Sequence, residues 1–297
     1  MPTWIALAIA AQLLGAVVVF VDRYVLTQKK GMGLPVVYAF YVSLLSGVVI
    51  VLLPFGLVSV PSLLILELSL VSAASFITSL LLLYSALRAG HASDVMPVVA
   101  AFSALASFTL AFLWLSEHLP GFFLASVALF ILGTFLISRF RFTKHQLVLV
   151  VSAGLLFGFS AFLIKVMFVH ASFWDGFFWS RMANVTGALL LLVWPGNWKA
   201  IMHGTRSSSH GTKWLIIGNK ALAGIAGAVT FFAIGIGSVT VVNAMGGLQF
   251  VFLPVLAFLF AHQFPNVLRG EVFHSGISHK LLGVVCIVLG LAFLYVA

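Results

Sequence analysis

Long uninterrupted runs of apolar residues dominate the chain. Ten of them are long enough to cross a bilayer, whose apolar core of about 30 Å needs about 20 helical residues. Because the runs are continuously apolar and do not alternate with polar residues, they predict helices and not the strands of a membrane barrel. The predicted spans cover residues 2–22, 35–55, 62–87, 94–115, 120–138, 146–169, 174–194, 212–234, 240–262 and 279–297.

Composition supports this assignment, since 63% of the residues are hydrophobic and only 7% are charged. Soluble domains are about half apolar and about a quarter charged. The longest polar stretches, predicted as loops around 195–212 and 263–279, leave no room for a soluble domain. The first apolar run exceeds a signal-peptide core and is expected to remain as a span. The sequence therefore predicts an all-α, multi-pass integral membrane protein, expected in the cell membrane.

Positive charge is concentrated in alternate loops. The 15 Lys and Arg residues outnumber the 6 Asp and Glu residues, but no single region collects them, which argues against a nucleic-acid partner. Most follow the first, third, fifth, seventh and ninth spans: Arg23, Lys29, Lys30, Arg88, Arg139, Arg141, Lys144, Lys199, Arg206, Lys213, Arg269 and Lys280. Because basic loops stay in the cytoplasm, this distribution predicts that both termini lie outside.

The two halves of the chain resemble each other. Arg23 in "VFVDRYVLTQ" aligns with Lys165 in "AFLIKVMFVH" at an offset of 142 residues, and "YSALRAGHAS" aligns with "FFAIGIGSVT" at an offset of 147. Each half holds five predicted spans, and an odd number makes the copies insert in opposite orientations. We therefore predict ten transmembrane helices in two inverted five-helix repeats, residues 1–140 and 146–297.

The segment "YSALRAGHASDVMPVVAAFSALASFTLAFLWLSEHL" resembles the drug/metabolite transporter superfamily, in its ten-span EamA-type branch. The resemblance implies secondary transport of a small molecule through a central cavity, with spans five and ten at the periphery. It implies cytoplasmic termini, opposite to the charge distribution. It leaves the substrate open among amino acids, sugars, nucleotide sugars, phosphorylated sugars, organic anions and cationic drugs.

Polar residues inside spans are the candidates for substrate binding, because an ionisable group in hydrocarbon costs a few kcal/mol and usually faces a partner or a water-filled path. Lys165 and Lys220 could instead extend to the interface, and Asn184, on the same helix face as Arg181, could bond a neighbouring helix. Asn243 and Gln249 are six residues apart, so at most one points at a central axis. The predicted set is Gln12, Tyr84, Lys165, Arg181, Asn184, Lys220, Asn243 and Gln249.

The stretch "LRAGHASD" predicts a short turn between the third and fourth spans, where Gly90 permits a tight reversal and Asp94 caps the next helix. A gate at the cavity mouth is the functional alternative for such residues. We predict gating at the ends of the third, fourth, eighth and ninth spans, by Gly90, Asp94, Gly237 and Gly247. Glu117, at another helix end, is expected to cap the helix or form an ion pair.

Signatures of enzymes are absent from the sequence. Its six acidic residues form no acid/base pair on one helix face, and there is no HExxH motif and no phosphate-binding loop. The single Cys286 excludes an internal disulfide. We expect no catalytic activity, no cofactor and no metal site. The expected partners are a small-molecule substrate and the lipid bilayer, and the sequence leaves open whether two copies associate as a homodimer.

Basic groups inside spans, without a carboxylate at mid-membrane, predict a substrate with an anionic group, such as an amino acid or an organic acid; a neutral metabolite is the alternative. The sequence thus predicts a secondary transporter that works by alternating access. A non-coupled channel or a lipid-handling scaffold is the alternative function. Glu67 is the acidic candidate for proton coupling, but it lies near the start of its span, so we expect a facilitator or exchanger, or at most coupling to one proton.

Overall fold

The fold was analysed in a computed structural model of the 297-residue chain. The structure describes residues 2–27, 34–90, 92–117, 119, 121–137, 142–207, 210–249, 251–252, 256 and 277–296. All regular elements in these ranges are helices, which confirms the predicted all-α class.

Eleven α-helices are numbered along the described part of the chain. A 3-10 helix, Ser46–Phe55, continues α2, and a second one, Met245–Leu248, continues α10. The α-helices are α1 (Thr3–Thr27), α2 (Pro35–Leu45), α3 (Leu63–Ala89), α4 (Ala92–Trp114), α5 (Gly121–Ile137), α6 (Lys144–His170), α7 (Phe173–Leu191), α8 (Pro195–Ser207), α9 (His210–Ile236), α10 (Val239–Ala244) and α11 (Ile277–Val296).

Six apolar segments of the described chain are long enough to cross a membrane, and α7 with α8 makes a seventh if the bent pair counts as one span. The six are Thr3–Asp22, Pro35–Phe55, Leu63–Ala89, Asp94–Trp114, Lys144–His170 and Trp214–Ile236. The predicted fifth span corresponds to a shorter apolar helix, Gly121–Ile137, and the described parts of the ninth and tenth contain the apolar helices Val239–Leu248 and Leu282–Phe293. Residues 250, 253–255 and 257–262 of the predicted ninth span lie outside the described residues. A multi-pass membrane protein follows from these segments.

Side chains in the sequence set where several helices begin. Ser62 caps α3 by accepting a hydrogen bond from the Ile65 amide at 3.4 Å. Thr143 and Gln146 form a reciprocal capping box at the start of α6. These caps satisfy amides that have no partner within the helix, and they fix the predicted boundaries to within a few residues.

The predicted loop at 195–212 is wrong over most of its length, because residues Pro195–Ser207 form α8, bent by 100° from α7, and α9 begins at His210. One side of α8 is apolar and buried at Ile201, whereas Trp198, Lys199 and His203 are exposed. Because only one side of this amphipathic helix is apolar, its sequence is not a continuous apolar run and does not predict a span. Most of the second predicted loop, 263–279, lies outside the described residues.

Two pairs of long helices pack antiparallel to each other. In one, α3 packs on α6, with the Ser72 and Ser160 hydroxyls 3.0 Å apart and the Gln146 amide donating to the Ala89 carbonyl at 3.0 Å. In the other, α1 packs on α9, where the Asn219 amide donates to the Val18 carbonyl at 3.2 Å. The α5 helix packs separately against α11.

The α6 helix also packs closely against α4, through the two glycines of its "GLLFG" segment, Gly154 and Gly158. A Cβ atom on Gly154 would lie 2.7 Å from the Val99 carbonyl oxygen, and one on Gly158 would lie 2.3 Å from the Ser103 carbonyl oxygen. Neither distance is compatible with a side chain. The two glycines therefore allow the α4 and α6 backbones to approach.

Candidate functional site

Charged side chains gather at the two opposite ends of the α1/α9 pair. Trp4, at the start of α1, lies beside Gly237, which follows α9, while Asp22, late in α1, lies beside Lys220, early in α9. Eighteen helical residues separate Trp4 from Asp22, or about 27 Å along the helix axis. The two polar sites are thus almost a membrane thickness apart.

The first site, which we call the Asp22 cluster, consists of Asp22, Tyr38, Tyr84, Asn219 and Lys220. The Lys220 ammonium group donates to both Asp22 carboxylate oxygens, at 2.7 and 2.9 Å. The Asn219 amide donates to the same carboxylate at 2.6 Å, and the Tyr38 hydroxyl donates to it as well. One carboxylate therefore joins α1, α2 and α9.

Aromatic rings complete the enclosure of the Asp22 cluster. The Lys220 ammonium lies 4.6 Å from the Tyr38 ring centroid, and the Tyr84 ring meets Tyr38 edge to face at 4.9 Å. Asp22 and Lys220 retain only 8% and 7% of their accessible surface. The predicted site residues Tyr84 and Lys220 are therefore brought together, and the alternative that Lys220 extends to the interface is wrong because its charge is paired inside the bundle.

At the other end lies a cavity of about 430 Å³, which we call the Glu117 cavity. It is bordered by the starts of α1 and α5, the ends of α4 and α6, and the junction between α9 and α10. Its walls are mostly apolar or aromatic, with Glu117, Lys165 and Ser238 as the polar side chains; the lining residues are Trp4, Leu115, Glu117, Leu119, Phe123, Lys165, Val169, Gly237 and Ser238.

The backbone turns sharply to place Glu117 in this cavity. Ser116 adopts a left-handed conformation with φ of 50°, which is uncommon for a residue other than glycine, and the Glu117 amide returns to the Ala111 carbonyl at 3.1 Å. The Thr240 hydroxyl lies 3.5 Å from one carboxylate oxygen, and the other oxygen is buried without a hydrogen-bond partner among the described residues. The expected role of Glu117 as a helix cap or ion-pair partner does not account for this placement.

Burial away from water raises the pKa of the Glu117 carboxyl above its ordinary value of 4.5. Hydrogen bonds from Ser238 and Thr240, and the positive charge of Lys165, lower the pKa in part. Burial has the largest effect, as expected for a carboxyl surrounded by apolar groups. Glu117 is therefore easier to protonate than an exposed glutamate.

Lys165 lines the same cavity. Its ammonium group donates to the carbonyls of Ile234 and Gly237 at 2.8 Å and to that of Gly235 at 3.3 Å. These carbonyls lie at the end of α9, where helical carbonyls lack intrahelical donors and favour a positive charge. Lys165 thus contributes charge to the cavity while its N–H groups bond the backbone.

Arg181 lies about 12 Å inside α7, measured from the helix start, and is surrounded by aromatic rings. Its guanidinium carbon lies 4.3 Å from the Phe231 ring centroid, 5.7 Å from that of Phe76 and 5.9 Å from that of Phe177. The buried Nε atom has no hydrogen-bond partner within the described ranges. Asn184 is buried on the same helix, and no hydrogen bond joins it to a neighbouring helix among the residues that the structure describes.

Two other predicted residues meet in the middle of the bundle. The Gln249 amide donates to the Gln12 carbonyl oxygen at 2.6 Å and links the end of the second 3-10 helix to α1. Asn243 does not join them, and its buried amide nitrogen has no partner in the part of the chain that the structure describes. This agrees with the prediction that the two residues cannot share one direction.

The predicted gating residues fall at different levels. The connection between α3 and α4 is short, as predicted, since α3 ends at Ala89 and α4 begins at Ala92. Gly90 adopts an extended conformation that any residue can adopt, so the turn does not require glycine there, and Asp94 lies inside the first turn of α4 and not at its cap. A Cβ on Gly237 would lie 2.5 Å from the Trp4 ring, and one on Gly247 would lie 2.5 Å from the Thr134 hydroxyl. Gly237 therefore borders the Glu117 cavity, and Gly247 packs on α5.

The structure places Glu67 on an exposed part of α3, away from either polar site. The two carboxylates that are enclosed, Asp22 and Glu117, were not among the predicted site residues. The sequence offered little reason to assign either residue to a site, because each lies near a span end, where acidic residues are usually solvated. The described residues contain no group of three or more side chains suited to a metal ion.

Comparison with known proteins identifies the fold only. No protein-family model matches the sequence, and no curated protein matches it. A solved structure described as "Crystal structure of protein" superimposes with a TM-score of 0.68 at 14% sequence identity, covering 98% of this chain and 96% of that chain. The whole chain therefore adopts an architecture that occurs in a solved structure.

Proposed function

We propose that this protein is a secondary transporter that moves a small metabolite by alternating access. The observation that carries the proposal is the contrast between the two ends of the α1/α9 pair. The Asp22 cluster closes one end with a buried ion pair, whereas the Glu117 cavity leaves space for a ligand at the other end. A carrier needs two such ends, whose closure alternates.

We further propose the ten-span arrangement in two inverted repeats, residues 1–140 and 146–297, and membership of the EamA-type branch of the drug/metabolite transporters. Helix packing supports the repeat: if α6 corresponds to α1 and α3 to α9, the α1/α9 pair and the α6/α3 pair are equivalent. The correspondence also pairs α5 with α11, which are in contact. We place the protein in the cell membrane.

An anionic group on the substrate is supported by Arg181 and Lys165. Arg181 is held among aromatic rings with no acidic partner in the described part of the chain, and a charge inside a membrane protein usually faces a partner. Lys165 adds positive potential at the cavity. An amino acid or an organic acid would supply the missing negative charge.

Uptake into proteoliposomes tests this proposal. Purified protein is reconstituted and offered a panel of labelled amino acids, organic acids, neutral sugars and organic cations. We expect saturable uptake of at least one compound that carries a carboxylate. Transport restricted to cations would overturn the anionic substrate, and uptake that rises in proportion to concentration would favour the channel alternative.

A further inference from the structure

We propose that the Glu117 cavity binds a ligand carrying both an ammonium and a carboxylate group, with the ammonium group on Glu117 and the carboxylate toward Lys165. The inference rests on the proposed function and narrows its substrate class to zwitterions. Three features of the cavity carry it: an unsatisfied carboxylate oxygen, a pair of aromatic rings and a balance of one negative and one positive charge.

The Glu117 carboxylate lacks a donor that a ligand could supply. One oxygen is buried without a hydrogen-bond partner among the described residues. The donors near the carboxylate are the Ser238 side chain and the Thr240 hydroxyl, which lies 3.5 Å from the other oxygen, the long limit of a hydrogen bond. Leaving a buried acceptor unpaired is costly, especially when it is charged. Lys165 does not fill this role, because three backbone carbonyls accept from its ammonium group.

Aromatic rings at the same cavity suit an ammonium group and an apolar substituent. The Trp4 and Phe123 rings are nearly parallel, with 19° between their planes and 6.4 Å between their centroids, and both line the cavity. Aromatic faces attract cations through the ring quadrupole, most strongly for tryptophan. The remaining lining residues are largely apolar and would contact a hydrocarbon side chain.

The charges of the cavity discriminate between ligand classes. A simple cation would be attracted by Glu117 but repelled by Lys165. A simple anion would be attracted by Lys165 but repelled by Glu117. A zwitterion can satisfy both charges at once, which an apolar environment favours strongly because it screens poorly. The volume of about 430 Å³ lies in the range for small-molecule sites.

Three probes that share a phenylethyl group test the inference by calorimetric binding to the full chain in detergent micelles: phenylalanine, phenethylamine, which lacks the carboxylate, and 3-phenylpropionate, which lacks the ammonium. We expect phenylalanine to bind at least about tenfold more tightly than either relative. Glu117→Gln should remove its advantage over 3-phenylpropionate, and Glu117→Asp should restore part of it. The matched control Glu67→Gln, at an exposed carboxylate on α3, should leave all three affinities unchanged.

Equal or tighter binding of 3-phenylpropionate, no binding of phenylalanine, or an unchanged preference in Glu117→Gln would each overturn the inference. If Glu117→Gln does not fold, the affinities of the three probes for the unmodified protein still show whether the cavity prefers a zwitterion. Zwitterion binding without any flux in proteoliposomes would contradict the proposed transporter and leave this site in place. Saturable flux of organic acids alone would support the proposed transporter and contradict zwitterion binding in the Glu117 cavity.

Discussion

Lys220 and Asp22 form a buried ion pair with nitrogen-to-oxygen distances of 2.7 and 2.9 Å, although 198 residues separate them in sequence. The pair connects the first long helix to α9 at the end opposite the Glu117 cavity. Asn219 and Tyr38 donate further hydrogen bonds to the carboxylate, so neither charge is left without a partner. In the proposed carrier, opening of this end would require these bonds to break, so the Asp22 cluster would act as a gate.

Breaking the ion pair should destabilise the protein. Lys220→Met leaves the Asp22 charge buried without its cation, and removing one partner of such a pair typically costs about 3–5 kcal/mol. The double variant Asp22→Asn/Lys220→Met should lose less than the sum of the single losses. The unfolding free energy in detergent micelles measures both, with the exposed Lys199→Met on α8 as control. Strictly additive losses would show that the pair has no coupling energy.

The close contact between α4 and α6 should depend on Gly158. Gly158→Ala would place a methyl group 2.3 Å from the Ser103 carbonyl oxygen, so the helices must separate, at a cost of about 1–3 kcal/mol. Gly224→Ala on α9 is the matched control, because its Cβ would meet nothing within 4 Å. That variant should be neutral or more stable by up to about 1 kcal/mol. Equal melting temperatures for the two variants would argue against the contact.

Stability should depend on pH through Glu117. Its pKa in the folded protein is raised above the ordinary value of 4.5 by burial, so the folded state holds a proton that the unfolded chain releases. The stabilising contribution is therefore complete below the unfolded pKa and is lost as pH rises through the folded pKa. Melting curves measured across this interval should show a decline that is absent in Glu117→Gln. A slope that persists in the variant would assign it to another group.

Glu67 should not couple transport to protons, because its exposed position on α3 keeps it out of both polar sites. Glu67→Gln should leave the initial rate of uptake within about twofold, with or without an imposed pH gradient, as for other surface substitutions. Loss of gradient-driven accumulation in this variant would instead make Glu67 the coupling residue. Accumulation that survives in Glu67→Gln would direct attention to Asp22 and Glu117.

Hydropathy predicted the long helices well, because a continuous apolar run has few alternatives to a spanning helix. The same criterion missed α8, whose apolar residues, such as Ile201, occupy only one side. Among the polar residues predicted inside spans, Lys165 lines the Glu117 cavity, Lys220 belongs to the Asp22 cluster and Gln12 accepts a hydrogen bond from Gln249. Their acidic partners were missed, since pairing of Asp22 with Lys220 depends on how α1 and α9 pack and leaves no local pattern.

Counterflow tests the alternating-access claim most directly. Proteoliposomes containing the protein are loaded with an excess of an unlabelled amino acid or organic acid, and trace labelled compound is added outside. The proposed carrier predicts that, for at least one compound, label inside rises transiently above its equilibrium level, because unlabelled substrate leaving the vesicle returns the site to the outside. A monotonic approach to equilibrium for every compound, with rates proportional to concentration, would contradict alternating access.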